Sequence, residues 1–160
     1  MNLFKINESD SWKSVNDGVM GGISKSQLSH VDKLAVFSGH VSLENNGGFA
    51  SVTRRVFAVN VTHDAELSIR VMGDGKRYQL RLKPSLEKGV PSYGVGFTTQ
   101  ANVWQTFRFK LSEFKATLRG KKVADAPMLN WQDVKQLGFL IGDRQQGDFC
   151  LLIDSITLDE

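Results

Sequence analysis

An all-β fold, built as an antiparallel β-sandwich or jelly roll, is what this sequence predicts. Three observations carry that prediction: short segments alternate apolar and polar residues with a period of two, glycine-rich turns punctuate them, and no helical period is sustained along the 160 residues. Strands at such spacing without crossover helices pack as antiparallel sheets, with a closed up-and-down barrel as the competing architecture. The length suits one domain with a full hydrophobic core, so residues 1–160 are read as a single domain.

The elements follow in chain order. A loop rich in turn residues, Trp12 to Ser24, comes first, followed by weaker strand candidates at 26–30, 34–38, 40–43 and 49–56. Leu67-Ser68-Ile69-Arg70-Val71 places Leu67, Ile69 and Val71 on one face, and Tyr78-Gln79-Leu80-Arg81-Leu82-Lys83 repeats the pattern. The intervening Gly73-Asp74-Gly75-Lys76 reads as the turn of an antiparallel hairpin joining these two strands in one sheet. Alternation returns at 93–97, 107–111 and 149–153, ahead of a last strand at 155–158. Residues 111–114 and 131–134 read as single helical turns, the second capped by the Asn130 side chain, and 119–129 as a surface loop.

Composition excludes more than it selects. Apolar residues at 41% and charged residues at 23% fit a folded globular chain and exclude disordered, fibrous and disulfide-scaffold classes. Twenty Lys and Arg against seventeen Asp and Glu leave a net charge of +3, too small to demand an anionic partner. The single cysteine, Cys150, points to a reducing compartment, and its place in the apolar run 149–153 reads as a buried structural thiol. No run is long enough for a membrane span, and Met1-Asn2-Leu3-Phe4-Lys5 lacks a secretory pattern, so a soluble, cytoplasmic protein without membrane insertion is expected.

Catalytic patterns are missing. His30, His40 and His63 stand far apart without partners at metal-ligand spacing, and no nucleophile elbow occurs. Gly73 to Lys76 lacks the Gly-Lys-Ser/Thr ending of a phosphate loop, and Gly94-Val95-Gly96 lacks the third glycine of a dinucleotide fingerprint. Neither a metal nor another cofactor is expected, and no enzyme. Basic residues such as Arg54, Arg55, Lys121 and Lys122 are interleaved with acids, and no nucleic-acid recognition element is visible, so no nucleic-acid partner is expected.

What remains is a polar face. With the apolar positions of 67–71, 78–83, 93–97 and 107–111 turned inward, the other side of the same sheet carries Arg70, Gln79, Arg81 and Arg108 around Gly94 and Gly96. Forked arginine donors suit a carboxylate, a phosphate or a polar sugar face. Trp104, on the parity of Arg108, is the nearest aromatic platform, so Arg70, Gln79, Arg81, Trp104 and Arg108 form the candidate binding set. The competing reading is a solvated face whose glycines accommodate a loop folded across the sheet. In the Trp12 to Ser24 block, Trp12, Asn16, Asp17, Met20, Gly21 and Gly22 describe a structural loop that packs on the sandwich, with Asp17 satisfying loop amides or an arginine.

Trp12, then Val15-Asn16-Asp17-Gly18-Val19-Met20-Gly21-Gly22-Ile23-Ser24, Phe37-Ser38-Gly39, Gly47-Gly48-Phe49-Ala50-Ser51-Val52, Gly73-Asp74-Gly75-Lys76 with Tyr78, Phe114 with Arg119-Gly120, Gly138-Phe139-Leu140-Ile141 and Gly147-Asp148-Phe149 resemble, in order, the complex I intermediate-associated protein 30 family. The resemblance implies a galactose-binding-domain-like jelly roll and kinship with mitochondrial factors that chaperone assembly of respiratory NADH:ubiquinone oxidoreductase. This chain is similar to the stand-alone bacterial members, so neither a presequence nor an appended domain is expected, and the family supplies no catalytic residues. The expectation is a non-catalytic binding or assembly module with a protein partner. The alternative is a lectin-like binder of a carbohydrate or small anion.

Overall fold

The computed structural model describes residues 12–20, 22–56 and 59–160. Among these residues twelve strands form two antiparallel sheets, in keeping with the period-two pattern. They are β1 (Lys13–Ser14), β2 (Lys25–Val31), β3 (Leu34–Val41), β4 (Ala50–Arg55), β5 (Glu66–Met72), β6 (Arg77–Lys83), β7 (Ser92–Thr98), β8 (Trp104–Phe109), β9 (Lys115–Leu118), β10 (Lys121–Lys122), β11 (Gln136–Ile141) and β12 (Gly147–Asp159). One sheet has seven strands in the order β1-β4-β11-β6-β7-β9-β10, the other five in the order β2-β3-β12-β5-β8. The all-β sandwich is the observed fold.

The inward-facing residues of both sheets make one core. Leu67, Ile69 and Val71 from the five-stranded sheet meet Tyr78, Leu80, Leu82, Leu137 and Phe139 from the seven-stranded sheet, all fully or almost fully buried. Aromatic rings pin the centre: Phe37 lies edge-on to Phe149 at 4.9 Å, and Tyr78 stacks on Phe97 at 6.1 Å between centroids. Such pairs add about 0.5–1.5 kcal/mol each beyond their buried area.

The hairpin expected between 67–71 and 78–83 is not formed. β5 and β6 lie in different sheets, and the Gly73 to Lys76 segment crosses from one to the other. A second crossover, from β7 to β8, packs against it: the Asn102 amide donates to the Gly73 carbonyl at 3.0 Å, and the Thr99 hydroxyl donates to the Lys76 carbonyl at 2.8 Å. Gly73 has no room for a side chain there, since an added Cβ would lie 2.3 Å from Thr99 Oγ1. Alternation alone cannot tell a hairpin from a sheet switch, because both preserve the inward parity of Leu67 and Tyr78.

Other differences have local causes. The segments expected at 149–153 and 155–158 are one strand, whose register shifts between Ile153 and Ser155, so Ile153 and Ile156 both face inward across a bulge. That same alternation turns Phe149 and Leu151 inward and leaves Cys150 exposed, which corrects the buried-thiol reading. Residues 34–38 and 40–43 likewise belong largely to the single strand β3. Short 3-10 turns stand at Leu111–Glu113 and Trp131–Asp133, but Asn130 makes no side-chain cap.

Candidate functional site

The division of strands between sheets divides the candidate set as well. Arg70, Trp104 and Arg108 lie on β5 and β8 of the five-stranded sheet, whereas Gln79 and Arg81 lie on β6 of the seven-stranded sheet. The single polar face expected from the sequence is therefore two faces, on opposite outer sides of the sandwich.

On the five-stranded side, cross-strand pairing sets Arg70 between Thr106 and Ser155, and Ser68 between Arg108 and Thr157. These residues floor an open groove of about 410 Å³ whose far end is acidic, at Asp64, Glu66, Asp159 and Glu160. Arg70 is held twice. Its guanidinium carbon sits 4.5 Å from the centroid of the Trp104 ring, and Nη1 lies 3.4 Å from Oδ2 of Asp154, the residue at the β12 bulge. Trp104 thus already carries a cation on one face.

The seven-stranded side is different in charge. Every ionisable side chain that the register of these strands turns outward is basic: Lys13, Arg55, Arg77, Arg81, Lys83, Lys115 and Lys122. Asp143, in the turn after β11, answers one of them, Arg77, at 3.5 Å. No aromatic ring projects from these strands on this side, since Tyr78, Tyr93, Phe97 and Phe139 all face the core. The solvated-face reading placed a loop over Gly94 and Gly96, but arginines occupy that space. A Cβ at Gly94 would sit 3.2 Å from Arg81 Nε, and one at Gly96 2.3 Å from an Arg77 terminal nitrogen.

Arg81 lies over Gly94 and is braced on two sides. Nε and Nη2 donate to Gln79 Oε1 at 3.1 and 2.9 Å, while Nη1 donates to the hydroxyls of Ser92 at 2.9 Å and Thr117 at 3.3 Å. Among the described residues no carboxylate contacts it directly. Burial pulls its guanidinium below the ordinary arginine value, and the nearby charge of Asp143 pulls the other way.

The loop residues form a third, separate network. Asp17 is completely buried. Its Oδ1 accepts the Ser24 amide at 2.9 Å, and its Oδ2 accepts the Ser24 hydroxyl, the Gly48 amide at 2.8 Å and the Phe49 amide at 3.3 Å. No arginine is among these partners. Burial raises its pKa, but the Ser24 hydroxyl and the Gly48, Ser24 and Phe49 amides outweigh that and hold the carboxyl below its ordinary value. Asn16 Oδ1 accepts from the Ser26 hydroxyl at 2.6 Å and the Ser51 amide at 3.1 Å. Trp12 is buried 6.1 Å from Phe139, with Arg54 over its ring. Gly22 packs directly on the Asp17 carboxylate, and Met20 ends the 3-10 turn Asp17–Met20. The Met20 side chain and Gly21 lie outside what the structure describes.

Sequence reasoning missed the neighbours that complete the Arg81 brace, Ser92 and Thr117. The sole signal for Thr117 was the weak alternation of β9. Among the described residues, no three His, Cys, Asp or Glu side chains come together to hold a metal, and no helix is long and apolar enough to cross a membrane.

Comparison with known proteins adds family and fold. Residues 2–153 match the family model described as complex I intermediate-associated protein 30. A protein of Caenorhabditis elegans named "Probable complex I intermediate-associated protein 30, mitochondrial" is 27% identical over 177 aligned residues, covering 98% of this chain and 50% of that protein. This chain thus spans about half the length of its nematode relative. Among solved structures, the family 11 carbohydrate-binding module of a cellulosomal cellulase of Clostridium thermocellum superposes with a TM-score of 0.72 at 14% identity, covering 99% of this chain and 93% of that one. The Clostridium thermocellum family 11 module in complex with a β-1,3-1,4-mixed-linked tetrasaccharide gives 0.69 at 15% identity, covering 99% and 94%. These neighbours show a jelly roll.

Proposed function

The chain belongs to the complex I intermediate-associated protein 30 family, and from that premise we propose that it is a non-catalytic module that binds a protein partner during assembly of a larger complex. A respiratory NADH:ubiquinone oxidoreductase is the first complex to test. The observation that carries the reading is the outer face of the seven-stranded sheet, where every ionisable side chain of the strands is basic, a charge that matches an acidic partner. The single cysteine supports a reducing, cytoplasmic setting for this role.

Deleting the gene in a respiring host, and measuring assembled NADH dehydrogenase together with the subunits that co-purify with the tagged chain, tests the proposal. Reduced assembly and recovery of an oxidoreductase subunit are expected. Unchanged assembly with no such subunit recovered overturns it.

One observation favours a second reading, a lectin-like binder of a carbohydrate or small anion. The groove on the five-stranded sheet combines hydroxyls and two arginines, one of which lies over the neighbouring Trp104 ring, on a fold shared with carbohydrate-binding modules. Binding on a glycan array that Trp104→Ala abolishes supports it. Silence on the array, with a melting temperature unmoved by sugars and phosphate, removes it.

A further inference from the structure

The Arg81 brace has a chemical consequence beyond its geometry. Arg81 takes up the oxygen of Gln79 twice and an oxygen lone pair on each of Ser92 and Thr117. The hydrogens of both hydroxyls then point away from the guanidinium, and the Gln79 amide nitrogen meets no acceptor among the described residues. What the cluster offers to solvent is donors around a fixed positive charge, a pattern complementary to a carboxylate.

This cluster sits at the middle of a row that crosses six strands. Lys13 pairs with Thr53, Thr53 with Gly138, Gly138 with Arg81, Arg81 with Gly94, and Gly94 with Lys115. Small residues therefore lie on both sides of Arg81, and a lysine stands at each end. At about 4.8 Å between neighbouring strands, Lys13 lies roughly 14 Å from Arg81 and Lys115 roughly 10 Å beyond it. An extended chain of about seven residues covers that distance.

We propose that this row is the docking track for an acidic, extended segment of the partner protein, one carboxylate of which seats in the donor cluster of Arg81, Gln79, Ser92 and Thr117. The inference rests on the assembly-module reading and names the chemistry of its partner. A protein segment is favoured over a glycan or a nucleic acid because the track has no ring on which a sugar or base stacks. The opposite face, with its mixed charges and its Trp104 ring, has the other character.

Fluorescence anisotropy of the purified chain with a labelled peptide of about eight residues alternating Glu and Ser tests it directly. Binding that weakens with salt is expected, with no binding to the peptide in which Gln replaces each Glu. Arg81→Gln should weaken binding about tenfold or more, Lys115→Glu should weaken it too, and Lys25→Gln on the other sheet should leave it unchanged. Lys115 is exposed at the sheet periphery, so its variant stays informative if Arg81→Gln fails to fold.

Several results overturn the proposal: no binding, equal binding of the Gln peptide, or insensitivity to Arg81 and Lys115 in folded variants. Single-stranded DNA or heparin binding more tightly than the peptide, with the same dependence on Arg81, also overturns it and reassigns the face. Peptide failure alongside defective complex assembly in the deletion strain removes the track and leaves the assembly role standing.

Discussion

The Asp17 carboxylate accepts the Gly48 amide at 2.8 Å across 31 residues of chain, so one buried side chain fastens the first loop to the segment that leads into β4. Ser24 completes the clamp, donating both its amide and its hydroxyl to the same carboxylate. An anion in such a position works as a structural bolt, because the amides of Ser24, Gly48 and Phe49 would be stranded without it.

Asp17→Ala is therefore expected to lower stability by about 1–3 kcal/mol at neutral pH, read from thermal or urea unfolding. Asp17→Asn should lower it as well, since one carboxylate oxygen becomes a donor facing donors. Because the folded carboxyl is held below its ordinary value of 3.8, its stabilisation is fully present above that pH and is lost as pH falls through the lower folded value. The gap between wild type and Asp17→Asn should thus close in acid, below about pH 4. A gap that persists unchanged in acid, or a variant as stable as wild type, contradicts the clamp.

Gly22→Ala should act through the same carboxylate. The added Cβ would lie 2.4 Å from Asp17 Cγ, so either Asp17 or the backbone at Gly22 has to move. A loss of about 1–3 kcal/mol is expected from this overpacking. In the double variant with Asp17→Ala the two contacts at 2.4 Å are gone and only the one to Cβ, at 2.9 Å, remains, so the two losses should fall short of their sum, and a double-mutant cycle measures the shortfall. Full additivity would separate Gly22 from the clamp.

How much of this was legible in the sequence varies with the kind of signal. Inward and outward parity along β5, β6, β7 and β8 was readable because it needs only alternation, and the residues placed inward do lie in or against the core. Sheet membership was not, since the crossover at Gly73 to Lys76 carries the same glycines and aspartate that a hairpin turn uses. From that one ambiguity came the largest error about the site: Arg70 and Arg81 were placed on one face but stand on opposite sides of the sandwich. The bulge between Ile153 and Ser155 hid β12 in a similar way, by reversing parity within a single strand.

Cys150 tests the corrected parity of β12. Its side chain is exposed, so native protein should label fully with a maleimide without denaturant. Partial burial and the charge of Asp74 push its thiol pKa up, so labelling at neutral pH should be slower than for a free cysteine and should accelerate as pH rises. A thiol that reacts only after unfolding would restore the buried reading.

Asp74 separates a sheet crossover from a simple hairpin turn. Its Oδ1 accepts the Tyr78 hydroxyl at 2.9 Å and the Lys76 amide at 3.2 Å, and its Oδ2 accepts the Cys150 amide at 2.9 Å. The side chain therefore ties β6 of one sheet to β12 of the other, beside a Tyr78 whose ring is wholly buried and whose hydroxyl pKa burial and Asp74 both raise. Removing the acceptor strands a donor on a core tyrosine, which costs about 1–3 kcal/mol. An aspartate in an exposed hairpin turn would cost little more than about 0.5 kcal/mol on the same substitution. Asp74→Ala should lose the larger amount, and Tyr78→Phe should recover part of it in the double variant, because the stranded hydroxyl is then gone. Urea unfolding of the four proteins decides between the two: a negligible loss for Asp74→Ala, or full additivity with Tyr78→Phe, contradicts the tie between the sheets.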